Sequence, residues 1–279
     1  MYNVKLERGL SGLLLKIIVP IKQVPDMTAV RFDTTKGTVD RSSAAAEINP
    51  FDLYAIEAAV QLKEKNGGAI TAISMGPPSA TAALRDAISR GVDRGILLTD
   101  LAFAGADTLA TSYTLASAVK KLGEFDLIIC GEKTVDGDTG QVGPEMAEHL
   151  CIPHVAYVSK IEEAGDKLSV TCDMETEQYE LSCPFPLLIT VTKDVNTPRL
   201  PTFRDKSNAR KAKIDVWSAA DLANVASSDK FGSSGSPTRV WKITVPNEEG
   251  RKGKIFRTLV DECFKEIFES LRVPGEDLK

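Results

Sequence analysis

Short apolar runs alternate with longer amphipathic ones from about residue 13 to residue 155, a rhythm that predicts a parallel sheet covered by helices. The runs at 13–19, 69–74, 95–98 and 125–130 are largely aliphatic, as strands buried on both faces require. Helical stretches lie between them. Asn49-Pro50 predicts a helix start, with Leu53, Ile56 and Val60 recurring on one face and Gly67-Gly68 as the stop. A second helix is expected over 79–90, ended by Gly91, and a third over 107–122, capped by Asp107 and terminated by Gly123. Residues 30–33 and 38–41 flank a Lys36-Gly37 turn and predict a small hairpin.

After Pro153 the period changes. Residues 155–162, 167–174 and 178–182 predict antiparallel strands joined by polar turns, and 187–192 is apolar enough for a central strand. Lys193, Arg199, Arg204, Lys206, Arg210, Lys211 and Lys213 then fall within 21 positions, with Pro198 and Pro201 opposing regular helix at the start. That stretch reads either as a solvated loop or as a partner-docking loop. Residues 227–236 (SSDKFGSSGS) predict a flexible linker or extended arm. Leu259, Cys263, Ile267 and Leu271 recur at helical spacing, so a last helix is expected over 258–271. The pattern divides the chain into an extension (1–12), an α/β domain (13–226) and a C-terminal arm with a helix (227–279).

Composition narrows the classes. At 279 residues, with 43% hydrophobic and 26% charged, the chain can bury one sizeable core with appendages or two modest domains. Its net charge of −5 argues against general nucleic-acid binding. Lys16 interrupts the apolar stretch near the N-terminus, which is too short to insert in a membrane. The cysteines (130, 151, 172, 183 and 263) form no CxxC pair and no His-Cys metal spacing, so a reduced, cytoplasmic setting without a metal is expected. His149 and His154 have no recognisable Ser or Asp partner pattern, and no catalytic side chain stands out.

The richest chemistry lies in Asp136-Gly137-Asp138-Thr139-Gly140-Gln141-Val142-Gly143-Pro144, between a strand-like and a helix-like run. Glycines at every third position let the backbone approach a ligand, and a helix beginning with Pro144 adds partial positive charge. A phosphate or pyrophosphate fits such a loop; a tight strand-to-helix connection explains the same residues. Asp136 and Asp138 repel phosphate, which suits them to capping, ribose contacts or loop positioning. Neither GxxxxGK[ST] nor an initial GxGxxG is present.

Six segments in order resemble the beta subunit of electron transfer flavoprotein: KIIVPIKQVPD, INPFDLYAIEAAVQLKE, AISMGPP, RDAISRGVDRGILLTD, DGDTGQVGPEMAEHL and PRLPTFRDKSNARKAKI. The resemblance implies a three-layer α/β fold of the adenine nucleotide-binding type, with an antiparallel addition and a C-terminal extension. It also implies a heterodimer with an alpha subunit that holds a redox-active FAD. By that likeness the nucleotide site is formed by Pro20, Lys22, Asn49, Phe51, Asp52 and Met75, together with the loop Asp136, Gly137, Asp138, Thr139, Gly140, Gln141, Val142, Gly143 and Ala147. PIKQVPD stands where related pyrophosphatases carry SGGxDS, so ATP cleavage is not expected.

The loop DGDTGQVGPEMAEHL, followed by Ile152-Pro153, and the segments FAGADTLATS and GSPTRV are similar to the electron-bifurcating branch, in which a second FAD replaces AMP. That likeness implies NADH as electron donor. One electron then goes towards ferredoxin or flavodoxin and the other, through the alpha-subunit FAD, to an acyl-CoA or hydroxyacid dehydrogenase. The alternatives are a non-bifurcating beta subunit carrying structural AMP and a nucleotide-sensing module of the universal-stress-protein type. Residues 196–213 match the family's recognition loop, with Phe203 where an aliphatic anchor is usual and Arg199, Arg204, Lys206 and Arg210 as the surrounding charges.

Overall fold

A computed structural model describes residues 14–25, 31–33, 38–40, 46–164, 167–239 and 260–271. Thirteen strands appear among them. They are β1 (Leu15–Pro20), β2 (Gln23–Pro25), β3 (Arg31–Asp33), β4 (Thr38–Asp40), β5 (Ala46–Ile48), β6 (Gly68–Met75) and β7 (Arg94–Leu98). They continue with β8 (Leu127–Gly131), β9 (His154–Ala164), β10 (Lys167–Met174), β11 (Glu177–Cys183), β12 (Leu187–Val191) and β13 (Ile214–Trp217). The helices are α1 (Pro50–Asn66), α2 (Thr81–Ser89), α3 (Thr108–Leu122), α4 (Val142–Leu150), α5 (Phe203–Ala209), the single turn α6 (Gly232–Gly235) and α7 (Val260–Leu271).

Nine strands form one sheet in the order β11-β10-β9-β12-β8-β1-β6-β7-β13. Every pairing from β9 across to β13 is parallel, and β10 runs antiparallel to both β9 and β11. The antiparallel addition therefore extends the same sheet. From β1 the chain moves to β6 and β7 on one side, then returns through α3 to β8 on the other. That reversal beside β1 is where ligands settle in open α/β sheets, outside the strand carboxyl ends.

Helices cover both faces. Leu15, Ile17 and Val19 of β1 pack with Ile56 and Val60 of α1 and Leu84 of α2, whereas Ile18 faces the opposite cluster with Val119 of α3 and Met146 of α4. Each fully buried aliphatic side chain of this kind contributes about 1.5–3 kcal/mol relative to exposure. The expected signals mark the helix ends: Asp107 caps α3 by accepting from the Ala110 N–H at 3.0 Å, and Gly67 and Gly123 follow α1 and α3 with φ of +79° and +92°.

Three expectations are corrected. Pro144 is the third residue of α4, whose helical turn starts at Val142. Residues 227–236 are packed structure and not a free linker: Phe231 is 2% exposed and meets Phe103 edge-on at 5.1 Å, and Ser236 is buried. The basic stretch holds a helix, α5, and leads into β13, an edge strand that its sequence does not signal.

The hairpin pairs as β3 with β4; its turn and residues 30 and 41 lie outside the described residues, as does the extension at 1–12. The chain divides into two compact units, 1–241 and 242–279, and the second contains α7. Leu259, part of the expected stripe, also lies outside the described residues. No helix among the described residues is long and apolar enough to cross a membrane.

Candidate functional site

A cleft of about 370 Å³ opens at the carboxyl ends of β1, β6 and β8, where the chain direction reverses. Pro20 ends the first of these strands, with Lys22 two residues beyond it, Met75 ends the second, and all three line the cleft. Gly137, Thr139, Gly140, Gln141, Val142 and Gly143 line its opposite wall. Ten of the fifteen residues expected at a nucleotide site therefore border one cavity, Asp52 being the tenth.

Asp52 and Asn49 tie the floor together. Fully buried Asn49 donates from Nδ2 to Asp52 Oδ1 at 3.0 Å and to the Lys133 carbonyl at 2.9 Å, and its Oδ1 accepts from the Val135 N–H at 3.1 Å. Its side chain thus joins the start of α1 to the loop after β8 and leaves the helix without a side-chain cap. Asp52 accepts the Lys22 N–H at 2.7 Å and also a backbone bond from Gly131. Burial raises its pKa to about 7, although the Asn49, Lys22 and Gly131 donors oppose the shift. Burial and then the Asp52 charge push the Cys130 thiol far up, so it is no nucleophile. Only glycine fits at 131: a Cβ there would lie 2.6 Å from Asp52 Oδ1 and 2.7 Å from the Phe51 carbonyl carbon.

Two ion pairs brace the loop. Lys22 Nζ meets Asp136 Oδ1 at 2.8 Å and Lys133 Nζ meets Asp138 Oδ1 at 2.8 Å. Burial opposes ionisation of Asp136, but the Lys22 ammonium and the Thr134 hydroxyl outweigh it and hold the carboxyl below its usual range. Gly140 has φ of +65°, and the non-glycine Asp138 also adopts a left-handed φ of +51°. Gly143 serves packing: a Cβ would sit 2.7 Å from Thr190 Cγ2 on β12. Ala147 is fully buried on the inner face of α4, and Phe51 sits behind the floor with Lys133 Nζ 5.7 Å from its ring. Asn49, Phe51, Asp136, Asp138 and Ala147 thus support the cleft without lining it.

Sequence reasoning missed one wall. Asp107, Thr108 and Thr111 at the start of α3 border the cleft, as do Glu132, Lys133 and Thr134 after β8. Thr108 Oγ1 bonds Gln141 Oε1 and Glu145 Oε1, both at 3.2 Å, which brings the N-termini of α3 and α4 side by side. The first amides of each helix have no intrahelical acceptor and carry partial positive charge. Both ends border one cavity, the α3 end partly answered by the Asp107 carboxylate, which takes the Ala110 N–H at 3.0 Å; the remaining first-turn amides suit an anionic group. The sequence marks Asp107 as a cap; nothing in it shows that this cap faces the glycine loop. His149 stands apart from the cavity lining, edge-on to Tyr113 at 5.4 Å.

The expected docking residues occupy a separate surface. Phe203 is 85% exposed at the first turn of α5, and Leu200 beside it is 86% exposed. Arg204, Lys206 and Arg210 point to solvent around them. Arg199 instead folds back on α1, where Glu57 and Glu64 engage its guanidinium.

Residues 36–222, about two-thirds of the chain, match the electron transfer flavoprotein domain. The beta subunit of electron transfer flavoprotein from Thermoanaerobacterium thermosaccharolyticum is 43% identical over 258 residues, covering 92% of this chain and 98% of that protein. Protein FixA of Azorhizobium caulinodans is 41% identical over 254 residues, covering 88% of this chain and 89% of its own. Subunit CarD of the caffeyl-CoA reductase-Etf complex from Acetobacterium woodii is 36% identical over 259 residues, covering 92% and 98%. A matching domain across most of the sheet, with relatives this similar along nearly their whole length, identifies the chain: it belongs to the electron transfer flavoprotein family.

Proposed function

We propose that this chain is the FAD-binding subunit of a heterodimeric flavoprotein that takes electrons from NADH and bifurcates them. One path leads to ferredoxin or flavodoxin, the other through an alpha subunit to an acyl-CoA or hydroxyacid dehydrogenase. The observation that carries the reading is the convergence of two helix N-termini with the glycine loop at the reversal point of the sheet. Two amide-rich ends suit two linked phosphates, as a dinucleotide presents; one end suffices for a single phosphate.

The residues fit such a group. Gly137 and Gly140 bring backbone to the cavity without side-chain obstruction, and Lys22 and Lys133 flank it, each already balanced by a carboxylate. A bound flavin would supply the redox chemistry, accepting a hydride and releasing electrons singly. The chain's own part is to seat the phosphates, exclude water and hold orientation. No side chain of the cleft needs to act as general acid or base.

Likeness to a subunit of a caffeyl-CoA reductase-Etf complex supports a CoA-ester oxidoreductase as partner. Leu200 and Phe203 provide the apolar tip for that partner, and Arg204, Lys206 and Arg210 raise the encounter rate. A second reading, a beta subunit carrying AMP, is favoured by the cleft's size: about 370 Å³ is near the lower end for small-molecule sites, about 300–1,000 Å³. Anaerobic NADH titration of the purified heterodimer separates the two. Bleaching of a flavin held by this chain is expected; a heterodimer whose flavin NADH leaves oxidised overturns the proposal.

A further inference from the structure

We propose that Arg199 is a positioning residue for partner docking: gripped by Glu57 and Glu64 of α1, it fixes the exposed Leu200 to Phe203 tip in the form a partner dehydrogenase binds. The proposal rests on the docking reading above and replaces one part of it, the expectation that Arg199 meets the partner with its own charge.

The grip uses all three guanidinium nitrogens. Nε donates to Glu57 Oε2 at 2.8 Å and Nη2 to Glu57 Oε1 at 3.1 Å; Nη1 donates to Glu64 Oε1 at 2.6 Å and Nη2 to Glu64 Oε2 at 2.9 Å. The Arg199 backbone N–H adds a bond to Glu57 Oε2 at 3.1 Å. Glu57 is itself 5% exposed and held by Gln61 Nε2 at 2.8 Å. Burial opposes ionisation of Glu57, but Arg199 and Gln61 outweigh it, so the carboxylate persists below the usual range. Such double fork geometry is specific to guanidinium; a lysine ammonium offers a point charge.

The neighbouring backbone is restrained at both ends. Arg90 Nη1 of the α2 terminus donates to the Arg199 carbonyl at 2.8 Å, and Arg90 Nε is braced by Asp86 Oδ2 at 3.0 Å. Upstream, Asn196 Nδ2 donates to the Tyr54 carbonyl at 3.0 Å. Downstream, Thr202 and Asp205 form a capping box at the start of α5. Pro198 and Pro201 fix φ on either side of Leu200. Two apolar side chains, 86% and 85% exposed, are thereby held on a rigid ledge, and their ordering cost falls before a partner arrives.

The test uses the intact heterodimer and NADH-driven reduction of its dehydrogenase, with dehydrogenase concentration varied. Arg199→Ala and Arg199→Lys are both expected to raise KM for the dehydrogenase about tenfold with kcat unchanged, since each loses the fork. Wild-type KM in Arg199→Lys would overturn the proposal, because it would mean that charge alone is used. In a Leu200→Ala, Phe203→Ala background, Arg199→Ala is expected to add nothing; an additive loss would mean direct contact with the partner and also overturn it. Should Arg199→Ala fail to fold, Arg199→Lys and the milder Glu64→Gln carry the comparison, the latter with a smaller rise in KM expected. If Leu200→Ala, Phe203→Ala alone leaves KM unchanged, the docking reading itself falls, a result distinct from additivity.

Discussion

Asp52 concentrates the physics of the cleft floor in one residue. Its carboxyl is buried among three donors, and burial still prevails, with the pKa raised to about 7. A carboxyl whose folded-state pKa exceeds its unfolded value stabilises the fold fully below the unfolded pKa, and that contribution is lost as pH rises through about 7. Asp52→Asn removes this dependence. Measured by urea unfolding, the variant is expected to gain on the wild type by roughly 2–3 kcal/mol between pH 5 and pH 8, at 1.36 kcal/mol per pKa unit; a constant difference across that range would contradict the assignment. Gly131 tests the same floor sterically. Gly131→Ala places a methyl 2.6 Å from Asp52 Oδ1 and against Phe51 backbone. A loss of about 1–3 kcal/mol with reduced bound nucleotide is expected, as for other overpacked sites; wild-type stability and nucleotide content would refute the close approach. Residue types at this floor were legible in the sequence, through Asn49-Pro50-Phe51-Asp52. The direction of the Asn49 amide was not: the sequence points it at the first backbone amides of α1, whereas in the structure it bonds the Asp52 side chain and the Lys133–Val135 backbone after β8.

At the scale of elements, aliphatic runs and glycine stops made α1, α2, α3 and the central strands legible, because burial on both faces leaves unbroken apolar sequence. Segment 227–236 was not legible. Its Gly/Ser composition matches a linker, yet the single aromatic Phe231 enters the core between Phe103 and Tyr113, and one buried ring outweighs the average polarity around it. Asp107 extends this attachment: its carboxylate caps α3 and accepts the Thr238 N–H at 3.2 Å and hydroxyl at 2.8 Å. Asp107→Ala is expected to cost about 1 kcal/mol, typical of a lost cap. It is also expected to quicken proteolysis after residue 226, which limited digestion followed by mass spectrometry would detect; unchanged cleavage would separate the cap from the attachment. The wall contributed by α3 escaped sequence reasoning for a topological reason: Thr108 and Gln141 are 33 positions apart and meet because β8 returns beside β1.

For the whole molecule, the proposed function divides the work of an electron carrier between the cleft and the docking tip. The cleft opens at the strand ends, and the tip stands on α5, anchored to α1 and α2. Phe203→Ala is expected to raise KM for the partner dehydrogenase while leaving bound flavin unchanged, by steady-state assay and visible spectrum; equal KM would reject the anchor. The central claim concerns what the cleft holds. It is tested most directly by denaturing the purified heterodimer and counting the nucleotides released. Two FAD per heterodimer are expected; one FAD with one AMP would contradict the account and leave this chain a structural nucleotide carrier.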